Sequence, residues 1–165
     1  MTRPRSLRAG ELRAGELRVL EAPARLVIHG LGSCVAVFVY DPGPRVGGMA
    51  HILLPGPPGK ATDHLGRYAT TAVAAIVEES IRLGARRSAL LAKVTGGSRM
   101  FPFDPGVPRP TVGDKNIEAA LQALAEARVA VVASDVGGEH GRTVVADLSD
   151  GTLTITTVRS GPRVV

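Results

Sequence analysis

A chain of 165 residues points to one domain around one hydrophobic core, and an apolar fraction of 44% excludes a disordered polypeptide. The net charge of +5 admits an acidic partner, but 3% aromatic residues and no tryptophan leave single-stranded nucleic acid without stacking platforms, so no nucleic acid is expected. No apolar run reaches membrane-spanning length, the N-terminus has arginines without an apolar signal core, and one cysteine excludes an internal disulfide, so the expected setting is a reducing cytoplasm.

In chain order, LRAGELRAGELR over 7–18 is a five-residue near-repeat, too short for a solenoid. Its first copy reads as a frayed extension, and its second leads into a strand near Leu17–Leu20. Residues 1–14 are therefore expected as a flexible N-terminal extension and 15–165 as a single domain. Pro23 marks a turn, and RLVIHG a short strand. CVAVFVY is the clearest strand, dense in β-branched and aromatic residues, and it ends at the turn signal DPGP. RVGGMAHILLP follows as a second strand, then the loop PGPPGKATD. From Asp63 the period changes. Leu65, Tyr68, Ala72, Val73, Ile76 and Val77 share one helical face, with Asp63 as N-cap and Gly84 as the stop.

SALLAKVT is another strand. GGSRMFPFDPGVPRPTVG, with four prolines and four glycines, is a long loop of the kind that often carries function. Gly96, Gly97 and Ser98 at its start are candidate substrate-loop residues. Asp114 is expected to cap a second helix with Ile117, Ala120, Leu121 and Leu124 inward. Three strands close the chain: VAVVASD, TVVADL and TLTITTV. Strands with two inserted helices point to an α/β or α+β sheet with helices against it, not a regular βαβ series.

The two strands around DPGP put chemistry together. If Asp41–Pro44 form a four-residue loop, paired positions sum to 85, and Cys34 stands opposite His51 on the same face. A bulge at Gly47–Gly48 would slip that register. Cys34 reads in two ways. As a nucleophile it would use His51 as its base, an imidazolium would lower its pKa, and the turn at Gly32 and Ser33 would supply backbone donors for an oxyanion. As a small buried hydrophobe it would do no chemistry. GLGSCV lacks the third glycine and the following helix of a dinucleotide fingerprint. Cys34, His51, His64 and His140 have no zinc-ligand spacing.

The segments LGSCVAVFVYDP, GGMAHILLP, KVTGGSRMF, VGDKNIEAALQAL and SDVGGEHGRTVVADLSDGTLTI, in that order across roughly residues 15–158, resemble the CheD family of chemoreceptor glutamine deamidases. The resemblance implies a three-layer α/β sandwich of mostly antiparallel sheet, related to the catalytic core of the necrotizing-factor toxins. It implies hydrolysis of receptor glutamine amides to glutamates, with a possible receptor methylesterase side activity. It also implies methyl-accepting receptors as substrate, a CheC-type phosphatase as partner, and no metal or cofactor. Cys34 matches the family's nucleophile and His51 its base. One position departs. The family usually has a threonine six residues before the cysteine to orient the histidine, and here that residue is Ile28, which has only a backbone carbonyl to offer. This departure keeps open an alternative, a weakly active or inactive receptor- or CheC-binding module with the same fold.

Overall fold

Every residue from Val35 to Asp41 is buried, the pattern of a strand covered on both faces. In the computed structural model, which describes residues 8–56, 64–101, 104–106 and 109–165, the described residues form ten strands and two α-helices. They are β1 (Arg8–Glu11), β2 (Leu17–Glu21), β3 (Ala24–Leu31), β4 (Val35–Asp41), β5 (Val46–Ile52), α1 (Ala69–Arg82), β6 (Leu91–Gly96), α2 (Val112–Glu126), β7 (Ala130–Val136), β8 (Arg142–Asp147), β9 (Thr152–Thr157) and β10 (Arg163–Val164). One sheet has the order β1-β3-β8-β9-β10 and the other β2-β5-β4-β6-β7. The pairs β1–β3 and β6–β7 are parallel and the rest antiparallel.

The two faces of β4 explain the layering. Val35, Val37 and Val39 pack with Ala50, Ile52 and Val94 against Ala72 and Ile76 of α1 and Ala120 and Leu124 of α2. Ala36, Phe38 and Tyr40, with Met49, pack instead on Leu26, Ile28, Val144 and Leu153 of the other sheet. The result is the expected α/β sandwich: helices, a central sheet and an outer sheet. Fully burying a side chain the size of Phe38 stabilises the fold by about 1.5–3 kcal/mol relative to its exposed state.

The hairpin register differs from the expected one by two residues. Tyr40 pairs with Gly47 and Asp41 with Val46, so the loop is 42–45 rather than 41–44. Asp41 stays in the strand because its carboxylate is fully engaged. It accepts from the Gly43 N–H (2.9 Å) and from the backbone N–H (2.8 Å), Nε (3.2 Å) and Nη2 (3.1 Å) of Arg86. Arg45 closes the turn at φ 55°. The register then runs unbroken through Gly47 and Gly48, and His51 stands opposite Ala36 instead of Cys34. A shift of two preserves the face, so Cys34 and His51 remain on one side of the sheet, one diagonal step apart.

Four other expectations change. Residues 8–14 are not a flexible extension: β1 pairs with β3, the Leu12 N–H donates to Val27 O (2.8 Å), and the Leu12 side chain is buried. Residues 1–7 and the expected cap Asp63 lie outside the described residues. Leu65 sits in a 3-10 turn ahead of α1 and is exposed, while Gly84 ends the helix at φ 109° as anticipated. α2 is capped by Thr111, with Asp114 at the third helical position completing a reciprocal capping box. On α2 Leu121 is 38% exposed, and Asn116 holds an inward position.

The Asp41 carboxyl is fully buried, and the Arg86 guanidinium holds its pKa down at about 2. A depressed acid stabilises the fold above its unfolded pKa and loses that contribution as pH falls through the folded value. Asp41→Asn is therefore expected to cost about 2 kcal/mol at pH 7. In urea unfolding, the gap to wild type should close between about pH 4 and pH 2. A gap that persists at pH 2 would assign the loss to packing instead of charge.

Candidate active site

β3 ends in the outer sheet at Leu31, and β4 begins in the central sheet at Val35. Residues 32–34 make that crossing, and all three of their carbonyls are held. Gly32 O accepts from the Ser98 N–H (2.9 Å) and Cys34 O from the Gly97 N–H (2.8 Å). Ser33 O accepts from Asn116 Nδ2 (3.1 Å). The candidate turn residues Gly32 and Ser33 thus flank the thiol in a backbone tied to β6 and α2.

Gly96, Gly97 and Ser98, the candidate substrate-loop residues, are buried and support this turn. Gly96 has φ 102°, and a Cβ there would collide with the Cys34 carbonyl. Only glycine lets β6 approach so closely. The Ser98 hydroxyl donates to His140 O (2.7 Å) and accepts from Arg142 Nη1 (2.6 Å). The GGEHGR segment therefore braces the turn from below. The exposed part of the loop starts at Arg99. A cleft of about 240 Å³ opens beside Ser33, lined by Met100, Phe101, Thr111 and Val112.

His51 is 6% exposed. Its backbone is gripped from both sides by the N-terminal segment: its N–H donates to Glu16 O (2.9 Å), and its carbonyl accepts from the Gly15 N–H (2.8 Å). Its ring Nδ1 lies 3.2 Å from Leu12 O. A carbonyl only accepts, so Nδ1 carries the proton and Nε2 is the basic nitrogen. The carbonyl at the His51 ring is that of Leu12. Ile28 pairs with Val144 and is fully buried between the sheets.

Cys34 packs against the same core cluster as Ala36 and Met49, on the face that also carries His51. Diagonal cross-strand neighbours stand roughly 7–8 Å apart. Burial pushes the Cys34 thiol up, with its own backbone N–H opposing. Burial pushes the His51 imidazole down, against the Leu12 carbonyl and the Glu16 charge. Both shifts favour the uncharged forms, thiol and neutral imidazole. The expected imidazolium that would lower the thiol pKa is not favoured, because desolvation penalises both charged forms.

Sequence patterns missed two of these parts. Leu12 acts through its carbonyl, which no side-chain pattern reports. Asn116 did carry a signal, since it is a polar residue in register with Ala120 and Leu124 on an apolar helix face. Among the described residues, no three or more His, Cys, Asp or Glu side chains group to hold a metal ion, and no helix is long and apolar enough to cross a membrane.

A family model described as CheD chemotactic sensory transduction matches residues 53–157. A curated protein of Desulfitobacterium hafniense, named a probable chemoreceptor glutamine deamidase CheD, is 41% identical over 145 residues, 88% of this chain and 91% of that protein. The protein of the same name from Methanococcus vannielii is 46% identical over 125 residues, 76% of this chain and 80% of its own. That from Moorella thermoacetica is 38% identical over 149 residues, 89% of each. With a family match across more than half its length and relatives that align over most of the rest, this chain belongs to the CheD family.

Proposed function

We propose that this chain is a chemoreceptor glutamine deamidase that uses Cys34 as nucleophile and His51 as base, acting in the cytoplasm on methyl-accepting receptors. The names of the relatives support the reaction. The observation that carries the mechanism is the Leu12 carbonyl on His51 Nδ1, which leaves Nε2 as the unprotonated nitrogen of a histidine on the same sheet face as Cys34.

The steps follow from the groups present. His51 Nε2 takes the Cys34 proton as the sulfur attacks the glutamine amide carbon. The N–H groups of Ser33 and Cys34 receive the oxyanion. The imidazolium returns its proton to the leaving nitrogen, and ammonia departs from a thioester. Water, deprotonated by His51, attacks the thioester, and the glutamate carboxylate and the thiol are released. A receptor methyl ester would follow the same path, with methanol as the leaving group. Binding of a CheC-type phosphatase and kinship with the necrotizing-factor toxin core belong to the same reading. Ile28 in the usual threonine position favours a second reading, a receptor-binding module with little chemistry.

The two separate in one assay. A purified receptor cytoplasmic domain should release ammonia, with site-specific glutamine-to-glutamate conversion by mass spectrometry, and both Cys34→Ala and His51→Ala should lose it by at least about a thousandfold. Receptor binding without conversion by the wild type would leave the module. Ile28→Thr tests the orienting role directly. With Leu12 already on His51, kcat should stay within about threefold of wild type. A gain of tenfold or more would mean that the Leu12 carbonyl does not do the threonine's work.

The resting protonation states set the pH dependence. Cys34 is shifted upward, so iodoacetamide should alkylate the free protein with a midpoint above the ordinary thiol value of about 8.5. His51 is shifted downward from 6.5, so the acid limb of kcat/KM should fall below pH 6.5. An alkylation midpoint below neutrality would reveal a standing thiolate–imidazolium pair and overturn the general-base route.

A further inference from the structure

Asn116 is the one asparagine in the chain. It is fully buried on the inner side of α2. Its Nδ2 donates to Ser33 O (3.1 Å) and to Leu53 O (2.8 Å). Ser33 immediately precedes Cys34, and Leu53 lies two residues past His51, so one nitrogen ties together the two segments that carry the site. Both partners are acceptors, and this fixes which end of the amide faces them. The other end, Oδ1, is buried with no hydrogen-bond partner among the described residues. An orphaned buried acceptor is costly. An apolar residue at this position would carry no such cost, so the two donated bonds are the reason for an amide here.

We propose that Asn116 is a positioning residue that sets the direction of the Cys34 N–H, the donor that receives the oxyanion. The inference rests on Cys34 being the nucleophile of the deamidase. The link from clamp to donor is covalent. The peptide between Ser33 and Cys34 is planar and trans, so its C=O and N–H point in opposite directions. Holding Ser33 O against α2 turns the Cys34 N–H away from α2. That N–H belongs to the residue that carries the thiol, so donor and nucleophile stand on one turn. The Ser98 N–H on Gly32 O does the same for the adjacent Ser33 N–H. The second arm of Asn116, on Leu53, keeps the strand of the base in step with the turn of the nucleophile.

The chain has only two side-chain amides, Asn116 and the exposed Gln122. In a nitrogen-15 spectrum of the full chain, the Asn116 NH2 pair should exchange with water at least about tenfold more slowly than the Gln122 pair. Equal exchange overturns the clamp whatever the receptor assay gives. In folded Asn116→Ala, kcat on the receptor domain should fall about a hundredfold. KM should change by less than about threefold, and Cys34 alkylation, which forms no oxyanion, by less than about twofold. A kcat within about threefold of wild type overturns the proposal. Parallel loss of deamidation and alkylation also overturns it, since it would mark a residue that holds the fold and not the donor. If the alanine variant does not fold, Asn116→Leu, which fills the volume without donors, is judged by the same criteria. A wild type that converts no receptor glutamine while its Asn116 amide is protected ends the deamidase reading, and the role assigned to Asn116 ends with it.

Discussion

A strand buried on both faces has no side chain left for solvent, so its chemistry must sit at an end. β4 is such a strand, pressed between helices on one side and the outer sheet on the other. Its C-terminal end is closed by the Asp41 carboxylate and Arg86. Its N-terminal end is where the chain crosses from one sheet to the other. A crossing of three residues cannot form ladder bonds, and its carbonyls must find partners elsewhere. They find them in Ser98, Asn116 and Gly97, which belong to the end of β6 and the start of α2. The close approach of those elements requires the glycines at 96 and 97.

His51 is set up by a different part of the chain. β5 places it on the inner face, but Leu12, Gly15 and Glu16 fix its ring and its backbone. β1 is short, and its parallel pairing with β3 holds Leu12 in place through the Val27 carbonyl. A backbone carbonyl and a threonine hydroxyl share one capacity that matters here, which is to accept from an imidazole N–H. A carbonyl is the stricter of the two, because it cannot donate and so admits one tautomer. Ile28 can then serve as a core residue between the two sheets without leaving the histidine unoriented.

The sequence made the layers readable because burial writes a period into it. The alternation in β8 and β9, the unbroken apolar run of β4 and the helical spacing of α1 each reflect what covers them. The pairing of Cys34 with His51 was readable to the face and not to the register. The face depends only on parity, whereas the register depends on where the turn begins. That was decided by Arg86, 45 residues away from Asp41, which keeps Asp41 in the strand. N-terminal order was not readable for a related reason. The segment RAGE has no strand signature of its own and pairs because β3 offers an edge. Backbone roles such as those of Leu12 and the Ser98 N–H leave no trace in residue type.

Burial disfavours the charged forms of the Cys34 thiol and the His51 imidazole, while the backbone of the turn at Cys34 is already held by its carbonyls. This division has a physical basis. Hydrogen-bond donors held by peptide geometry need no reorganisation when an oxyanion forms, and they work best where water is excluded. The same exclusion of water works against a standing ion pair, because it penalises thiolate and imidazolium alike. In the proposed reaction the two demands are met in sequence. The scaffold supplies the oriented N–H groups before substrate arrives, and the proton moves from Cys34 to His51 only as the sulfur–carbon bond forms, when the developing negative charge passes from sulfur to an oxygen that faces those donors. A free thiol in this state is a poor nucleophile toward anything that does not bring its carbonyl to the turn, so the burial that raises the Cys34 pKa also restricts what the cysteine attacks.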